Sequence, residues 1–188
     1  MESSDPELMA RLATGDDLAL NTLMDRWGQR VSAFLFRMTG NRETSLDLAQ
    51  ETFVKLYQAR DRYRSNGTFS TYLFAIASNL ARNHARWKAR HPTLSIDGPQ
   101  GETGCCAEEA VDPGRSPEEV ASASEKSAAV DKAFQKLPDD LREAMSLFIY
   151  EGMGYSDIAA LSGCSPKAIE TRIYRARQIL KEQLKDFL

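Results

Sequence analysis

Residues 151–184 read EGMGYSDIAALSGCSPKAIETRIYRARQILKEQL, and this stretch determines the expected fold of the C-terminal part of the chain. A short helix is predicted over 155–161. Gly163 is expected to end it, because glycine adopts the positive φ of a helix C-terminus without strain. Ser165 as N-cap and Pro166 at the first helical position begin a second helix. Two helices joined by such a short turn are typical of a helix–turn–helix.

The second helix of this hairpin is expected to have one apolar face and one basic face. Its apolar residues and those of the first helix form a small core, consisting of Ile158, Ala159, Leu161, Ile169 and Ile173. The outward-facing residues are then Lys167, Glu170, Thr171, Arg172 and Arg175, followed by Arg177 and Lys181. Near its N-terminus such a helix can enter a DNA major groove, where arginine or lysine pairs with guanine, while later residues contact phosphates. A plain helical hairpin with a solvated basic tail has the same pattern.

Charge is distributed unevenly along the chain, whose formal net charge is −3. Residues 93–124 contain seven acidic residues and one basic residue, Arg115, which gives a net charge of −6. Residues 82–91 contain four basic residues and no acidic one, and residues 165–188 contain six basic and three acidic residues. Two basic segments are therefore separated by an acidic one, a pattern compatible with nucleic-acid binding. Solvated helix faces are an equally simple explanation of the charges alone.

The apolar pattern predicts an all-α fold. Two stripes have helical steps of three and four residues: Leu46, Ala49, Phe53 and Leu56, and then Phe69, Leu73, Ile76 and Leu80. Alternation of β-branched residues is almost absent, which argues against strands. Residues 92–117 are rich in Gly, Pro, Ser and Asp and predict a flexible acidic linker. We therefore expect two small helical domains, 1–92 and 117–188, joined by a linker at 93–116.

Composition argues against several classes of protein. The longest apolar runs are far shorter than a bilayer span, and residues 1–10 lack the pattern of a secretory signal. Three cysteines are too few and too oddly spaced for a disulfide framework or a cysteine-rich zinc site. His84 and His91 have no carboxylate or cysteine at a metal-site spacing. No P-loop or nucleophile–base pair is visible either, so we expect no catalytic residue, metal or cofactor. The missing secretory signal and the few cysteines predict a reducing, cytoplasmic location.

The N-terminal part contains a polar helix at 41–58, which reads NRETSLDLAQETFVKLYQ. When its apolar stripe faces inward, one flank is formed by Asp47, Gln50, Glu51 and Val54. An acidic flank with a single apolar residue is either a solvated face or a docking surface for a basic partner, and the motif alone does not decide between them.

A loop flanked by aromatic residues follows at 63–72, and the helix after it ends in NLARNHARWKAR at 79–90. Aromatic residues interleaved with arginine, lysine and asparagine suit single-stranded DNA. Rings stack on bases, cations contact the backbone and amides read base edges. Phe69 and Trp87 can instead belong to the core, because their spacing also fits the apolar stripe.

These motifs, in this order, resemble the extracytoplasmic-function (group 4) sigma factors of bacterial RNA polymerase. The shared pattern is DLAQETF, a loop ending in F-x-x-aromatic-L, N-x-x-x-N-x-x-R, an acidic linker and a helix–turn–helix ending in RIYRAR. The resemblance covers the chain from residue 15 to about residue 184. It implies a non-catalytic specificity subunit that directs core RNA polymerase to promoters. A sigma-2-like domain would bind core polymerase and melt the −10 element. A sigma-4-like domain would read the −35 duplex and touch the β flap. An anti-sigma factor is a further implied partner.

By position, the resemblance assigns roles to individual residues. Those implied to dock on the clamp coiled coil of the β′ subunit are Asp47, Gln50, Glu51 and Phe53. Those implied to bind the −10 single strand are Ser65, Asn66, Gly67, Phe69, Tyr72, Asn79, Asn83, Arg86, Lys88 and Arg90. Those implied to bind the −35 duplex are Ser165, Lys167, Glu170, Thr171, Arg172, Arg175 and Arg177.

Three positions depart from the family pattern, so promoter preference is not transferred from the family. Tyr72 stands where a tryptophan is usual, which keeps a stacking ring and adds a hydroxyl group. Asn83 stands where an aspartate is usual, so a charged acceptor is lost. Glu170 stands at a usually basic position, and an acid there can accept a hydrogen bond from cytosine N4.

Two other functions stay open from the sequence. A stand-alone helix–turn–helix regulator would bind a palindromic duplex as a dimer without polymerase. A pure interaction protein, such as an adaptor that sequesters a regulator, would show little salt-dependent affinity for DNA. For the acidic linker we hypothesise a place in a basic channel of the polymerase, or a shielding role over the basic helices of the free protein.

Overall fold

The computed structural model describes residues 3–64, 67–91 and 128–185, and within these residues there are helices and no strand. In chain order the helices are α1 (Asp5–Ala13), α2 (Leu18–Thr39), α3 (Arg42–Gln58), α4 (Phe69–Arg90), α5 (residues 128–135), α6 (Asp139–Ile149), α7 (Tyr155–Ser162) and α8 (Pro166–Gln183). A 3₁₀ turn at Arg60–Arg62 follows α3. The predicted all-α fold is confirmed. The linker expected at 93–116 lies outside the described residues.

Polar N-caps fix where three of the helices begin. The side chains of Asn41, Thr68 and Ser165 each accept a hydrogen bond from the backbone N–H three residues later, at 2.8, 3.3 and 3.2 Å. Each cap satisfies a donor that has no partner inside its own helix. The caps therefore set the rotational phase of α3, α4 and α8, which carry the predicted functional residues.

Helices α1 to α4 pack around an apolar core rich in aromatic rings. Phe34 of α2 and Phe74 of α4 are fully buried, with ring centroids 5.3 Å apart in an edge-to-face arrangement. Trp27 of α2 contacts Phe69 at the start of α4 with a centroid distance of 5.7 Å. Edge-to-face pairs add to the free energy gained by apolar burial. This core holds α4 in place and directs the polar flank of α3 outward.

The helix–turn–helix forms as predicted from its local signals. Gly163 follows α7 with φ +64°, in the left-handed region, and Ser165-Pro166 begin α8. Ile158 of α7 and Ile169 and Ile173 of α8 are almost fully buried. The hairpin packs against α6, so its core is continuous with that of the other C-terminal helices.

The inward stripe of α3 differs from the prediction at one position. Leu46 was expected to face the core, but 47% of its surface is exposed. Two small polar residues, Ser45 and Thr52, are buried instead. Their hydroxyl groups donate to the Arg42 and Leu48 carbonyls of their own helix at 2.7 Å. Because these hydroxyls are satisfied locally, polar residues can occupy the buried face and Leu46 turns outward.

None of the helices within the described residues has the length and apolar character needed to cross a bilayer.

Two glycines give a matched test of the turn in the hairpin. Gly163→Ala is expected to destabilise the protein by about 1–2 kcal/mol, because a Cβ is strained at positive φ. Gly28 lies inside α2, and an added Cβ there meets no atom within 4 Å. Gly28→Ala should therefore stabilise the protein by roughly 0.5–1 kcal/mol. Urea unfolding followed by circular dichroism measures both, and shifts of the same sign would contradict this explanation of the turn.

Candidate nucleic-acid interface

The flank of α3 is an exposed acidic surface with apolar residues in it. Asp47, Gln50 and Glu51 are exposed, as expected. Val54 is 52% exposed and lies beside them, and the outward turn of Leu46 adds a second apolar side chain to this surface. The combination of carboxylates and exposed apolar side chains is suited to contact with a basic, partly apolar protein surface.

Phe53, which was assigned to the same docking surface, is buried. Only 4% of its surface is exposed, so its ring belongs to the core and not to the outer flank. It can support docking only by holding α3 against the other helices. Its predicted place in the inward apolar stripe is confirmed, whereas a place on the exposed docking surface does not fit its burial.

The loop before α4 separates two of its aromatic residues. Phe69 is 4% exposed and contacts Trp27 and Tyr63, with the Tyr63 ring centroid at 6.2 Å. Its ring is therefore part of the core, which corrects its assignment to the DNA surface. Tyr72 is partly buried, with its ring 5.1 Å from that of Tyr63. Burial raises the pKa of the Tyr72 hydroxyl, so this group stays neutral and can donate a hydrogen bond. Gly67 is exposed, while Ser65 and Asn66 lie outside the described residues.

Four polar residues of α4 share one exposed face. Asn79, Asn83, Arg86 and Arg90 are all exposed and recur at steps of four, three and four residues. The predicted set of helix residues is thus brought together, apart from Lys88. Lys88 is exposed, but helical geometry places it on another side of α4. The face offers two amides for base edges and two guanidinium groups for phosphates or bases.

Trp87, which sequence reasoning left undecided between core and surface, is 51% exposed. Its ring stacks on His91, with centroids 5.0 Å apart and an angle of 24° between the planes. His84 precedes Trp87 by three residues, and the centroids of the two rings are 6.3 Å apart. The spacing of these three rings, at steps of three and four residues, was the signal in the sequence that could have singled them out.

The exposed face of α8 carries most of the predicted duplex-binding residues. Lys167 and Glu170 form an exposed ion pair at 2.8 Å, and Thr171 donates to the Lys167 carbonyl at 2.9 Å. Arg175 and Arg177 are exposed further along. The Ser165 hydroxyl is already an acceptor for the α8 backbone, so its role at this end is to begin the helix.

Arg172 departs from the expected outward orientation. Its side chain is 29% exposed, and its Nε lies 3.3 Å from an Asp140 carboxylate oxygen of α6. One guanidinium nitrogen also lies 3.9 Å from the Cys164 sulfur. Tyr174 is 63% exposed and lies three residues after Thr171, on the outward face. Helical spacing from Thr171 could have identified Tyr174, whereas the pairing of Arg172 depends on the tertiary position of α6.

The C-terminal helices contact α2 through a buried carboxylate. The Glu151 side chain is 2% exposed and accepts from Arg30 and Arg37 of α2, each at 3.0 Å. Arg37 also donates to the Ser146 hydroxyl at 2.8 Å and lies over the Tyr150 ring at 4.0 Å. Burial raises the pKa of Glu151, and the two guanidinium groups partly oppose that shift. Charged groups therefore join Glu151 to α2.

A second contact joins α6 to the basic helix α4. The Glu143 side chain is 5% exposed and accepts from two nitrogens of Arg82, at 2.6 and 3.1 Å. Arg142 donates to the Met38 carbonyl in the last turn of α2 at 2.9 Å. A cavity of about 330 Å³ lies between α4 and α6 and includes Arg86 in its lining. Acidic residues of α6 thus pair with basic residues of both α4 and α8, as the Arg172–Asp140 pair also shows.

Comparisons with known proteins agree along the whole chain. Family models match it as Sigma-70 region 2 over residues 23–91 and as Sigma-70, region 4 over residues 127–180. The RNA polymerase sigma-H factor of Pseudomonas aeruginosa is 31% identical over 187 residues, which cover 100% of this chain and 97% of that protein. The ECF RNA polymerase sigma-E factor of Escherichia coli K12 is 30% identical over 189 residues, covering 98% of this chain and 96% of that protein.

Two solved structures have a similar fold. CnrH, solved in complex with the cytosolic domain of CnrY, matches with a TM-score of 0.70 and 25% identity over 98% of this chain and 99% of that chain. The sigma factor RpoE of Bartonella quintana, solved with the anti-sigma factor NepR, matches with a TM-score of 0.68 and 23% identity. That match covers 88% of this chain and 96% of the RpoE chain.

Proposed function

This chain belongs to the extracytoplasmic-function group of the sigma-70 family, and we propose that it directs core RNA polymerase to specific promoters and nucleates melting of their −10 element. The observation that carries the proposal is the presence of two separate exposed basic helix faces, on α4 and α8, together with an acidic docking flank on α3. The proposed division of labour is a sigma-2-like domain at 1–92, an acidic linker at 93–116 and a sigma-4-like domain at 117–188. The protein acts in the cytoplasm as a non-catalytic subunit.

Docking on core polymerase is assigned to the α3 flank. Asp47, Gln50 and Glu51 supply acceptors for basic side chains of the β′ clamp coiled coil, and Val54 and Leu46 supply apolar contact area. Charge complementarity of this kind sets orientation and speeds encounter. Contact of the sigma-4-like domain with the β flap would complete the attachment.

Strand separation at the −10 element requires a larger partner than this chain alone. Opening roughly ten base-pair steps at ~1.4 kcal/mol each costs on the order of 14 kcal/mol. Stacking two or three freed bases on protein rings returns ~2–9 kcal/mol. The exposed face of α4 can therefore hold the first few opened base pairs of the −10 element, through Asn79, Asn83, Arg86 and Arg90. Polymerase must supply the remaining free energy, which explains why the chain works as a subunit.

Reading of the −35 duplex is assigned to α8. Lys167, Glu170 and Thr171 lie near its N-terminus, where a helix reaches base edges in the major groove. Arg175 and Arg177 lie one to two turns further on and are suited to phosphates. We add Tyr174 to this surface, because it is exposed on the same face.

Promoter binding requires the C-terminal helices to leave the N-terminal ones. Elements centred near −10 and −35 are about 25 base pairs apart, roughly 85 Å of duplex at 3.4 Å per base pair. A compact chain of 188 residues has a radius of gyration of about 16 Å. The 36 residues at 92–127 can span at most roughly 120–130 Å. The contacts made by Glu143 and Glu151 must therefore break. Arg82 then loses its ion pair with Glu143, and the side of Arg86 that lines the cavity no longer faces α6.

An anti-sigma factor is a further partner that we propose. The RpoE structure with a similar fold was solved in complex with the anti-sigma factor NepR. A protein that stabilises the contact between the two sets of helices would keep the α4 and α8 faces from reaching a promoter together.

A salt titration tests the phosphate assignment on α8. Arg175→Ala should weaken holoenzyme binding by a similar factor on all promoters and reduce the salt slope of log K by about one, since one counterion-releasing contact is lost. Lys185→Ala is the matched control. Lys185 is an exposed basic residue near the end of the described residues, and it pairs with Glu182 at 2.9 Å. Loss of affinity confined to one base-pair variant would instead show that Arg175 reads a base.

Run-off transcription from a pool of genomic DNA tests the proposed function. Core polymerase with this chain should initiate at discrete sites, and core polymerase alone should not. A stand-alone regulator would leave initiation by core unchanged and would bind a palindromic duplex as a dimer. No initiation with active core enzyme would remove the proposal.

A further inference from the structure

The C-terminal end of α4 carries three neighbouring aromatic rings, of which two are stacked. His84, Trp87 and His91 follow one another at steps of three and four residues, with centroid distances of 6.3 and 5.0 Å. His91 is fixed in place because one ring nitrogen lies 3.0 Å from the Trp87 carbonyl oxygen. Trp87 nevertheless keeps half of its surface exposed. An indole held in one orientation by its neighbours loses little further rotamer freedom when a ligand stacks on it.

Trp87 is the outer continuation of the core stripe of α4. Further back on the same side of the helix, Leu73 and Leu80 are buried against the other helices. At Trp87 this stripe meets solvent, because half of the indole surface is exposed. A large aromatic residue exposed next to a binding face requires an explanation other than core packing.

The segment of α4 around Trp87 is basic. Residues 82–91 contain four basic residues and no acidic one, and Arg86, Lys88 and Arg90 are exposed on either side of the indole. A ring with cations beside it matches the two needs of nucleic acid, which are stacking for bases and positive charge for phosphates. An acidic protein segment would satisfy the cations but would not need the flat, fixed indole.

We propose that Trp87, which stacks on His91 through one face of its indole, stacks through the other face on a promoter base beyond those read by Asn79 and Asn83. The proposal rests on the proposed function and extends its −10 surface. Trp87 lies eight residues after Asn79 and four after Asn83, which is ~12 Å and ~6 Å along the axis at ~1.5 Å per residue. At ~3.4 Å per nucleotide step, these distances place the contacted base about two to four positions further from the loop at 63–72.

The test measures binding of holoenzyme to a promoter found by the run-off assay. Trp87→Ala should weaken binding by about 5- to 150-fold, the range for loss of one base–aromatic stack. Trp87→Phe should retain most of the affinity because it keeps a ring. Neither variant should change the salt slope, since no counterion-releasing contact is lost. Leu18→Ala is the control, because Leu18 is a 70% exposed apolar residue on α2.

Abasic substitutions locate the stacked base. Removing the base two to four positions beyond the Asn79 and Asn83 contacts should weaken the wild type and leave Trp87→Ala unchanged. Equal binding by wild type and Trp87→Ala overturns the proposal. A loss with Trp87→Ala that persists at every abasic position also overturns it, because the indole would then contact polymerase. If wild-type holoenzyme binds no promoter at all, it is the proposed function that fails.

Discussion

Asp47→Lys is expected to abolish co-purification with core RNA polymerase without unfolding the chain. Asp47 is exposed on the α3 flank, so a lysine can replace it without entering the core. If the flank docks on a basic coiled coil, the substitution replaces attraction by repulsion, and like charges brought together in an interface cost several kcal/mol. A double variant, Asp47→Lys with Glu51→Lys, reverses two neighbouring charges and should leave no detectable binding.

The control for this experiment is Glu182→Lys, which reverses an exposed charge on the last turn of α8. It changes the net charge as much as Asp47→Lys does but leaves the α3 flank intact, so core binding should persist. Circular dichroism and thermal unfolding of both variants should resemble those of the wild type. Retention of core polymerase by the folded double variant would remove the docking assignment from α3.

Glu151→Lys is expected to separate the C-terminal helices from α2. The Glu151 side chain is 2% exposed and pairs with two arginines, so a lysine would put a third positive charge into that contact. Breaking a buried ion pair by removing one partner costs about 3–5 kcal/mol. The change should therefore lower the free energy of unfolding and increase the radius of gyration measured by small-angle X-ray scattering.

Two comparisons make this result specific. Glu182→Lys again serves as the control and should leave the scattering profile unchanged. Glu143→Gln weakens the second contact by removing the charge that faces Arg82, and should increase the radius of gyration less than Glu151→Lys does. If the scattering of folded Glu151→Lys is identical to that of the wild type, the contact does not hold the two sets of helices together.

Local sequence signals were sufficient for much of the fold. The positive φ at Gly163 and the cap made by Ser165 depend on neighbouring residues only, so the helix–turn–helix could be predicted to within a residue. The exposed faces of α4 and α8 follow from helical periodicity, which is also local. Where side-chain position follows from the helix itself, sequence reasoning worked.

Tertiary contacts decided the rest. Phe69 fits both an exposed loop and a core, and only the approach of Trp27 from α2 buries it. Arg172 turns toward α6 because Asp140 lies there, more than thirty residues earlier in the chain. Leu46 is exposed because the buried Ser45 and Thr52 hydroxyl groups donate hydrogen bonds to carbonyl groups of their own helix, so polar residues can occupy the inner face. The spacing of apolar residues in the sequence does not reveal this. The contacts of Glu143 and Glu151 with basic residues of α4 and α2 gave no sequence signal at all.

Permanganate footprinting on a promoter used by this chain is the most direct measurement of its proposed role. Thymines in the −10 element should become reactive only when core polymerase and the chain are present together, because neither supplies enough free energy alone. The chain by itself should leave the duplex unreactive. Protection of a symmetric duplex by the chain alone, with no reactive thymines under any condition, would contradict a role in promoter opening.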